Sequence, residues 1–437
     1  MHHYDGFSDP VLRTRPMNPP VESPARAITA QEADSPHRLT GPLTVFFATA
    51  VGVIVMNLFA AQTLTGAINR SLHLAPDFAG LAAMLPQLGY AVGLVLLVPL
   101  CDLLENRRLI VRTLACGAAF LAIAMLTDSR VVFLVAVFLA GAASSVIQML
   151  VPMAASMAPE SHRGRAVGNV MSGLMLGILL SRPAASVIAG SIGWRAFYGL
   201  AAVINALLAV VLYMKLPARV PAIPTRYPAL LYSLWTLMRT EPVLQRNAMS
   251  AALVMGAFSA FWTAIGLRLV QPPFSFDMNG VALFALAGAA GAIVTPLAGR
   301  AGDRGWGRRT LLAGHLTMLL ALVAIGVAGA GWGGFSASAH PVLAVATLVA
   351  GAAALDAGVV TDQTLGRRAI NLMDPAARGR LNGLFVGVFF VGGALGAALS
   401  GSAWAMASWT GVCVVGFVFT GLAFVLRLTR RGRISHR

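Results

Sequence analysis

The stretch GRAGDRGWGRR, residues 299–309, places an aspartate and a pair of arginines immediately after a long apolar run. The stretch PLCDLLENRR, residues 99–108, repeats this arrangement at the end of another apolar run. Asp303 follows Asp102 by 201 residues (303 − 102), which is close to half of the 437-residue chain. A charged segment that recurs at the edge of apolar runs indicates a membrane protein built from two similar halves.

The composition agrees with a membrane protein, because 57% of the residues are hydrophobic and only 11% are charged. Soluble proteins average about 25% charged residues, so most of this surface must face lipid. A spanning helix needs roughly 20 apolar residues. The predicted fold is therefore an all-α polytopic membrane protein with about twelve transmembrane helices. The predicted segments are 43–68, 77–100, 109–127, 131–157, 166–190, 196–216, 246–270, 277–299, 310–330, 342–360, 381–403 and 408–427.

The longest polar interruption, residues 217–245, contains several prolines and divides the apolar segments into two groups of six. Leucines at helical spacing within it predict a short helix, either on the membrane surface or packed against the bundles. The predicted organisation is a disordered N-terminal tail, a six-helix bundle, a linker, a second six-helix bundle and a basic tail. Their ranges are 1–42, 43–216, 217–245, 246–427 and 428–437.

The net charge of +16 would suit a nucleic-acid partner, but its distribution along the chain argues against one. Of the 32 Lys and Arg residues, 27 lie in the tails and in alternate loops, on one side of the predicted membrane. This is the positive-inside pattern of a polytopic membrane protein. We therefore expect an integral protein of the plasma or inner membrane with both termini cytoplasmic. We expect it to be a monomer whose partners are the lipid bilayer and a small-molecule substrate.

The two charged motifs, together with GWR at 193–195 and RGRLN at 378–382, resemble the major facilitator superfamily, in particular its drug and metabolite efflux permeases. The resemblance covers about residues 43–427. It implies two pseudo-symmetric six-helix bundles and secondary active transport by alternating access. The segment before Gly141 lacks the arginine that is typical of drug–proton antiporters, and Arg182 replaces a glycine of the fifth-span signature. Proton antiport is thus less well supported by the motifs than transport.

The repeated charges predict a cytoplasmic gate, because a carboxylate is stabilised at the N-terminus of a helix. An Arg-Gly-Arg segment precedes both the fifth and the eleventh apolar segments. We expect Asp102 to meet the eleventh helix and Asp303 to meet the fifth. Orientation of the loops alone is the alternative for the arginines. The arginines assigned to the gate are Arg107, Arg108, Arg304, Arg308, Arg309, Arg163, Arg165, Arg378 and Arg380.

Charged residues inside spans are rare because their transfer into the membrane costs free energy, so Arg182 and Asp356 are the main functional candidates. A helix rise of about 1.5 Å per residue predicts that they lie at different depths, which argues against a direct ion pair. Arg182 either extends toward the outer face or contacts an anionic substrate. Asp356, which shares a helix face with Gln363, is the candidate for proton coupling, or else a structural partner of Arg367 or Arg368.

Three further residues lie on the helices that line the cavity in this family, and the resemblance implies that they contact substrate: Asn57, Gln148 and Trp262. Helix packing is the alternative for each. His315 is expected to be packed or solvated. Glycines such as Gly173, Gly177, Gly392, Gly393 and Gly396 predict a sliding interface between the halves. The sequence offers no pattern for a metal site or an organic cofactor.

The function predicted from these features is proton-coupled efflux of a small organic compound, with the proton gradient as the energy source. The alternative is an uptake permease for a small, anionic metabolite. A membrane-embedded enzyme would need clustered acids, histidines or nucleophiles within the spans. A non-transporting membrane sensor would need a large soluble output domain. Both are distant alternatives.

Overall fold

The structure is a computed structural model that describes residues 39–75, 78–220, 226–373 and 377–429, excepting the side chains of Ser161, Ala290 and Ala292. The predicted tails, 1–42 and 428–437, lie outside this part of the chain except where they join the first and last helices. Leu39 to the end of the described chain forms one compact unit.

The described part of the chain is helical and contains no β-strand, as predicted. Eleven of its helices are long and apolar enough to cross a membrane. The last of them changes direction at Ala407 and Ser408, where φ is −142° and 49°, and so provides two spans. The predicted number of twelve spans is confirmed. They are span 1 (Gly41–Ser71), span 2 (Leu81–Asp102), span 3 (Asn106–Leu126), span 4 (Arg130–Met157), span 5 (Arg163–Ile192), span 6 (Trp194–Lys215), span 7 (Pro242–Val270), span 8 (Met278–Asp303), span 9 (Gly307–Ala330), span 10 (Pro341–Asn371), span 11 (378–406) and span 12 (409–428).

Three spans contain interruptions that the hydrophobic pattern does not predict. Span 2 ends in a 3₁₀ turn, Val98–Asp102, after its α-helix ends at Leu96. Span 4 breaks at Ser144 and Ser145, and span 8 contains a 3₁₀ turn, Leu286–Ala289. Interrupted helices are tolerated in a membrane where other parts of the protein satisfy the freed backbone groups.

Capping residues explain where two of the spans begin. The Thr40 side chain accepts a hydrogen bond from the Leu43 backbone N–H at 3.4 Å, and Asp277 accepts one from Gly280 at 2.8 Å. Both are preferred N-cap residues because their oxygens satisfy amides that have no partner within the helix. Prolines in the first turn of spans 1, 7 and 10 are compatible with a helix start.

Glycines allow very close contact between spans 1 and 5. A Cβ at Gly173 would meet the Ala48 backbone, and a Cβ at Gly177 would meet the Gly52 backbone. Small residues of this kind let helix backbones approach in a membrane. We call spans 1–6 the first half and spans 7–12 the second half, so this contact lies within the first half.

The second half repeats the same contact between spans 7 and 11. A Cβ at Gly392 would meet the Ala252 backbone, and a Cβ at Gly396 would meet Gly256. The prediction of a sliding interface between the halves is therefore wrong for Gly173, Gly177, Gly392 and Gly396, because each lets two helices of the same half pack closely. Gly393 fits it, since a Cβ there would meet the Gln87 side chain of span 2.

The spans run alternately between two faces. We call the face that holds the start of span 1 and the end of span 12 the terminal face, and the other the opposite face. Near the opposite face the halves are in close contact. A Cβ at Gly190 in span 5 would lie 2.9 Å from the Met278 Cβ in span 8, and Gly80 lies against the Ala397 backbone in span 11.

The predicted linker helix is present at Tyr227–Thr240. Leu230 and Leu234 are buried against the spans, and the Tyr227 hydroxyl donates to the Leu96 carbonyl at 2.9 Å. Trp235, on another side of the helix, is exposed. Of the two placements left open by the sequence, packing against the bundles is the one that these contacts support.

Candidate functional site

Arg182 lies about two thirds of the way along span 5 and is almost completely buried, with 1% of its surface exposed. Its Nε donates to the Gln62 side-chain oxygen in span 1 at 3.0 Å. The guanidinium carbon lies 4.1 Å from the ring centre of Trp262 and 4.8 Å from that of Phe258. Aromatic faces attract cations, so the arginine is held by rings of span 7 rather than extending to a surface.

Trp262 connects this arginine to Asp356. Its indole N–H donates to Asp356 Oδ1 at 2.9 Å, while its ring lies beneath the Arg182 guanidinium. Both residues are buried, Trp262 completely. A buried carboxylate is costly unless a hydrogen bond or an opposite charge compensates it, and here both are close.

Gly288, in the 3₁₀ turn of span 8, completes the cluster. A Cβ at this position would lie 2.9 Å from Asp356 Oδ2 and 3.3 Å from Arg182 Nη1. The Asp356 carboxylate and the Arg182 guanidinium therefore both lie beside the Gly288 backbone and close to each other. A side chain at this position would compete with both, which gives a physical reason for glycine. We call Arg182, Gln62, Trp262, Gly288 and Asp356 the central cluster.

The predicted difference in depth between Arg182 and Asp356 is wrong. The apolar run of the tenth segment ends at 360, but the helix continues to Asn371. Asp356 is consequently near the middle of span 10, and Arg182 is likewise well inside span 5. The described side chains of Arg182 and Asp356 form no direct ion pair, but Trp262 contacts both of them and the two charged groups lie close together.

The other predicted substrate contacts lie in different surroundings. Gln148 in span 4 donates to the Tyr90 hydroxyl in span 2 at 3.2 Å. Asn57 is buried in span 1. Gln363 lines a cavity between spans 5, 8 and 10. Of the predicted set, the structure brings together Arg182, Trp262 and Asp356.

The cavity has a volume of about 950 Å³ and lies on the terminal-face side of the central cluster. At its outer end it is lined by Asp303 and Leu372, both exposed. At its inner end it is lined by Leu179, three residues before Arg182, and Val360, four residues after Asp356. The central cluster is thus about one helical turn beyond the cavity.

A second buried polar network lies within the second half. Ser250 donates to Asp362 Oδ2 at 2.6 Å, and His315 Nε2 lies 2.9 Å from the same oxygen. Arg427 Nη2 lies 3.7 Å from it and also donates to Asn247 at 3.0 Å. His315 is therefore buried and packed, which was one of the two expectations for it, and its packing partner is the carboxylate of Asp362. This network joins spans 7, 9, 10 and 12.

Sequence reasoning missed several members of these two groups. Gln62 and Phe258 had no role predicted from the sequence, and His315 was expected only to be packed or solvated. Phe258 and Trp262 are four residues apart and share a helix face, a spacing that could have indicated an aromatic site. Nothing in the sequence pattern relates Asp362 to Arg427, because their contact depends on how spans 10 and 12 pack.

The predicted contacts of the gate are not the ones in this structure. Asp303 forms an ion pair with Arg368 of span 10 instead of meeting Arg163 or Arg165 at span 5. Span 10 extends far enough toward the terminal face to bring Arg368 beside the end of span 8. Arg107 and Arg108, at the start of span 3, pair with the preceding Glu105, and Arg163 pairs with Glu160.

Other residues of the predicted gate also lack the expected partners. Arg380 donates to Ser233 of the linker helix at 3.1 Å, and Arg304 lies over the Trp306 ring at 5.7 Å. The remaining members are exposed at the terminal face: Asp102, Arg165, Arg308, Arg309 and Arg378. A contact between halves through these charges would require a different arrangement of the spans.

Twelve spans around buried charges, with a cavity that leads to them from one face, are the architecture of a membrane transporter. The sequence profile of the Major Facilitator Superfamily matches residues 45–370, and the chain belongs to that superfamily. Membership identifies it as a transmembrane transporter and not an enzyme.

Two relatives are similar along most of their length. The chain is 36% identical over 384 residues to Uncharacterized transporter YgaY of Escherichia coli O157:H7, covering 87% of this chain and 93% of that one. It is 32% identical over 389 residues to Probable transporter SCO4007 of Streptomyces coelicolor, covering 88% and 87%. The crystal structure of a bacterial homologue of the human lysosomal transporter Spinster, inward-facing and occupied, matches with a TM-score of 0.65. That match has 14% identity and covers 90% of this chain and 97% of that one.

Proposed function

We propose that the protein is a secondary active transporter that couples proton entry to the efflux of a small organic compound. The observation that carries the proposal is the contact of Trp262 with both Arg182 and Asp356, one turn beyond the cavity. Asp356 is a carboxylate that can bind and release a proton, and its charge compensates that of Arg182. Protonation would change the electrostatic balance of spans 5, 7, 8 and 10 together.

Alternating access follows from this arrangement as part of the proposal. The halves are in contact near the opposite face, and the cavity extends to the terminal face. The excess of arginine in the terminal-face loops supports a cytoplasmic terminal face in a plasma or inner membrane. A cytoplasmic cavity would load an exported compound, and the reverse arrangement would release it outside. We also propose that a monomer carries out the cycle.

The coupling is tested with purified protein in proteoliposomes and an imposed pH gradient. A panel of small organic compounds is screened for gradient-driven transport, and the positive compound is then measured with Asp356→Asn. We expect the variant to lose gradient-driven transport while it retains exchange of labelled for unlabelled compound, because exchange needs no net proton transfer. Gradient-driven transport by Asp356→Asn at the normal rate would refute proton coupling through this residue.

Asp277→Asn is the matched control, since Asp277 is an exposed carboxylate at the start of span 8. We expect it to transport at close to the normal rate. The direction is tested separately in cells that lack or overproduce the protein. Efflux predicts lower accumulation of the compound on overproduction, and higher accumulation would instead support the uptake permease.

A further inference from the structure

The cavity between spans 5, 8 and 10 has one predominantly apolar wall. Met171, Met175, Leu176 and Leu179 of span 5 form it. Val360 of span 10 adds to the apolar surface. The volume of about 950 Å³ lies within the roughly 300–1,000 Å³ of pockets that bind small molecules. The shape and lining therefore suit an organic body with an apolar side.

Two arginines of span 10 line the same cavity, and their surroundings differ. Arg368 is paired with the carboxylate of Asp303. Arg367 is half-buried, and its Nε is enclosed without a hydrogen-bond partner among the residues that the structure describes. No described carboxylate forms an ion pair with Arg367. Among the described residues, the positive charge of Arg367 in the cavity thus has no carboxylate partner.

A partly buried guanidinium without a hydrogen-bonded or charged partner is costly, and a bound anion would compensate it. A guanidinium presents several N–H groups in one plane, which match the oxygens of a carboxylate, sulfonate or phosphate group. Such charge-assisted hydrogen bonds are roughly twice as strong as neutral ones. A cationic compound would be repelled by Arg367, and a neutral one would leave its charge unsatisfied.

We propose that this cavity binds a small amphipathic organic anion, with its charged group on Arg367 and its apolar body against span 5. This names the substrate class of the proposed transport site and so rests on the proposed function. Direction and proton coupling do not enter into it. The inner end of the cavity, beyond the apolar wall, lies about one turn from Arg182, whose Nη2 is also without a hydrogen-bond partner among the described residues.

The test compares three probes that share one ring system and differ in charge: naphthalene-2-sulfonate, naphthalene-2-sulfonamide and 2-naphthylmethylammonium. Binding is measured as the concentration-dependent rise in unfolding temperature of the purified full-length protein in a neutral detergent. We expect the sulfonate to stabilise the wild type, and the amide and the ammonium to have little effect. Equal stabilisation by the sulfonamide, or no stabilisation by the sulfonate, would overturn the proposal.

Substitutions locate the site. We expect Arg367→Gln to weaken sulfonate binding by about tenfold or more, because a charge-assisted contact is lost. Arg367→Lys should retain part of the binding, and it also covers the case in which the glutamine variant does not fold. The control is Arg112→Gln, an exposed arginine of span 3, which should bind as the wild type does. Unchanged affinity in folded Arg367→Gln would overturn the assignment.

This experiment uses no membrane and no gradient, so its outcome is independent of proton coupling. Binding of the sulfonate with a failed Asp356→Asn test would leave the anion site standing and refute the coupling mechanism. The converse result would preserve coupling and refute the anion site.

Discussion

At the residue scale, Trp262 has two separable roles, because its ring contacts Arg182 and its N–H contacts Asp356. Trp262→Phe keeps an aromatic face and removes the hydrogen bond. We expect gradient-driven transport to fall by about tenfold, since a hydrogen bond to a charged group is worth roughly 1.5–3 kcal/mol. The rate is measured in proteoliposomes with the compound that the panel identifies.

Trp409→Phe is the matched control for this prediction. Trp409 is also buried in the second half, and its N–H donates to the Ile325 carbonyl at 3.1 Å, outside the central cluster. It should lower transport much less. Equal losses of transport in the two variants would mean that Trp262 contributes through packing and not through its hydrogen bond to Asp356.

The sequence predicted which residues belong to the central cluster better than it predicted that they lie close together. Arg182 and Asp356 stand out because charges inside apolar runs are rare, and Trp262 lies on a helix that lines the cavity in this family. Their proximity could not be predicted from hydropathy, since the apolar run of span 10 ends at 360 while the helix continues to Asn371. Depth estimates from apolar runs fail wherever a helix extends beyond the lipid.

The network around Asp362 leads to a prediction about stability. Asp362→Asn leaves the buried Arg427 without its negative partner, and removal of one member of a buried ion pair typically costs about 3–5 kcal/mol. We expect a loss of unfolding free energy of about 3 kcal/mol, measured by denaturant unfolding in detergent micelles. The amide oxygen of asparagine can still accept the hydrogen bond from Ser250, which places the effect at the lower end of that range.

Arg427→Gln and the double variant complete a cycle for this pair. Since the two charges compensate each other, removing both should cost less than the sum of the single losses. Strict additivity would contradict an interaction between Asp362 and Arg427 that stabilises the fold.

At the scale of helices, the contacts between spans 1 and 5 depend on glycine at single positions. Gly177→Ala would place a Cβ against the Gly52 backbone, where no flexible side chain can move aside. Overpacking of this kind costs about 1–3 kcal/mol, so we expect a lower unfolding temperature for the purified protein.

Gly168→Ala, in the same helix, is the control, because nothing lies within 4 Å of a Cβ there. Alanine is favoured over glycine inside a helix by about 0.5–1 kcal/mol, so this variant should be neutral or slightly stabilised. A similar loss of stability in both variants would show that backbone flexibility, and not close packing, is what the glycines provide.

Helix identities were predictable and helix boundaries were less so. All twelve apolar segments correspond to spans, because a helix that crosses the bilayer needs roughly 20 apolar residues and this length is visible in the sequence. The 3₁₀ turn at Leu286–Ala289 was missed, since its residues are as apolar as those of the helix around it. That turn brings Gly288 to the charges, so the missed detail is the one that shapes the site.

At the scale of the whole molecule, the repeated charged motifs were correct as a marker of two halves and wrong as contacts in this structure. Asp303 pairs with Arg368 inside the second half, at the outer end of the cavity. Contacts between halves at the terminal face would require the cavity to close. The gate therefore remains a prediction for the alternative state, in which Asp303 would exchange Arg368 for the start of span 5.

The proposed alternating-access cycle requires the opposite face to open, and a disulfide can prevent this. A Cβ at Gly190 would lie 2.9 Å from the Met278 Cβ, and a small adjustment gives the roughly 3.5–4.5 Å of a disulfide. We expect Gly190→Cys with Met278→Cys, in a background without Cys101, Cys116 and Cys413, to lose transport on oxidation and recover it on reduction. The single-cysteine variants should be insensitive to oxidation, and sulfonate binding to the cavity should survive in the oxidised pair. Full transport by the cross-linked protein would show that spans 5 and 8 do not separate at this face during the cycle.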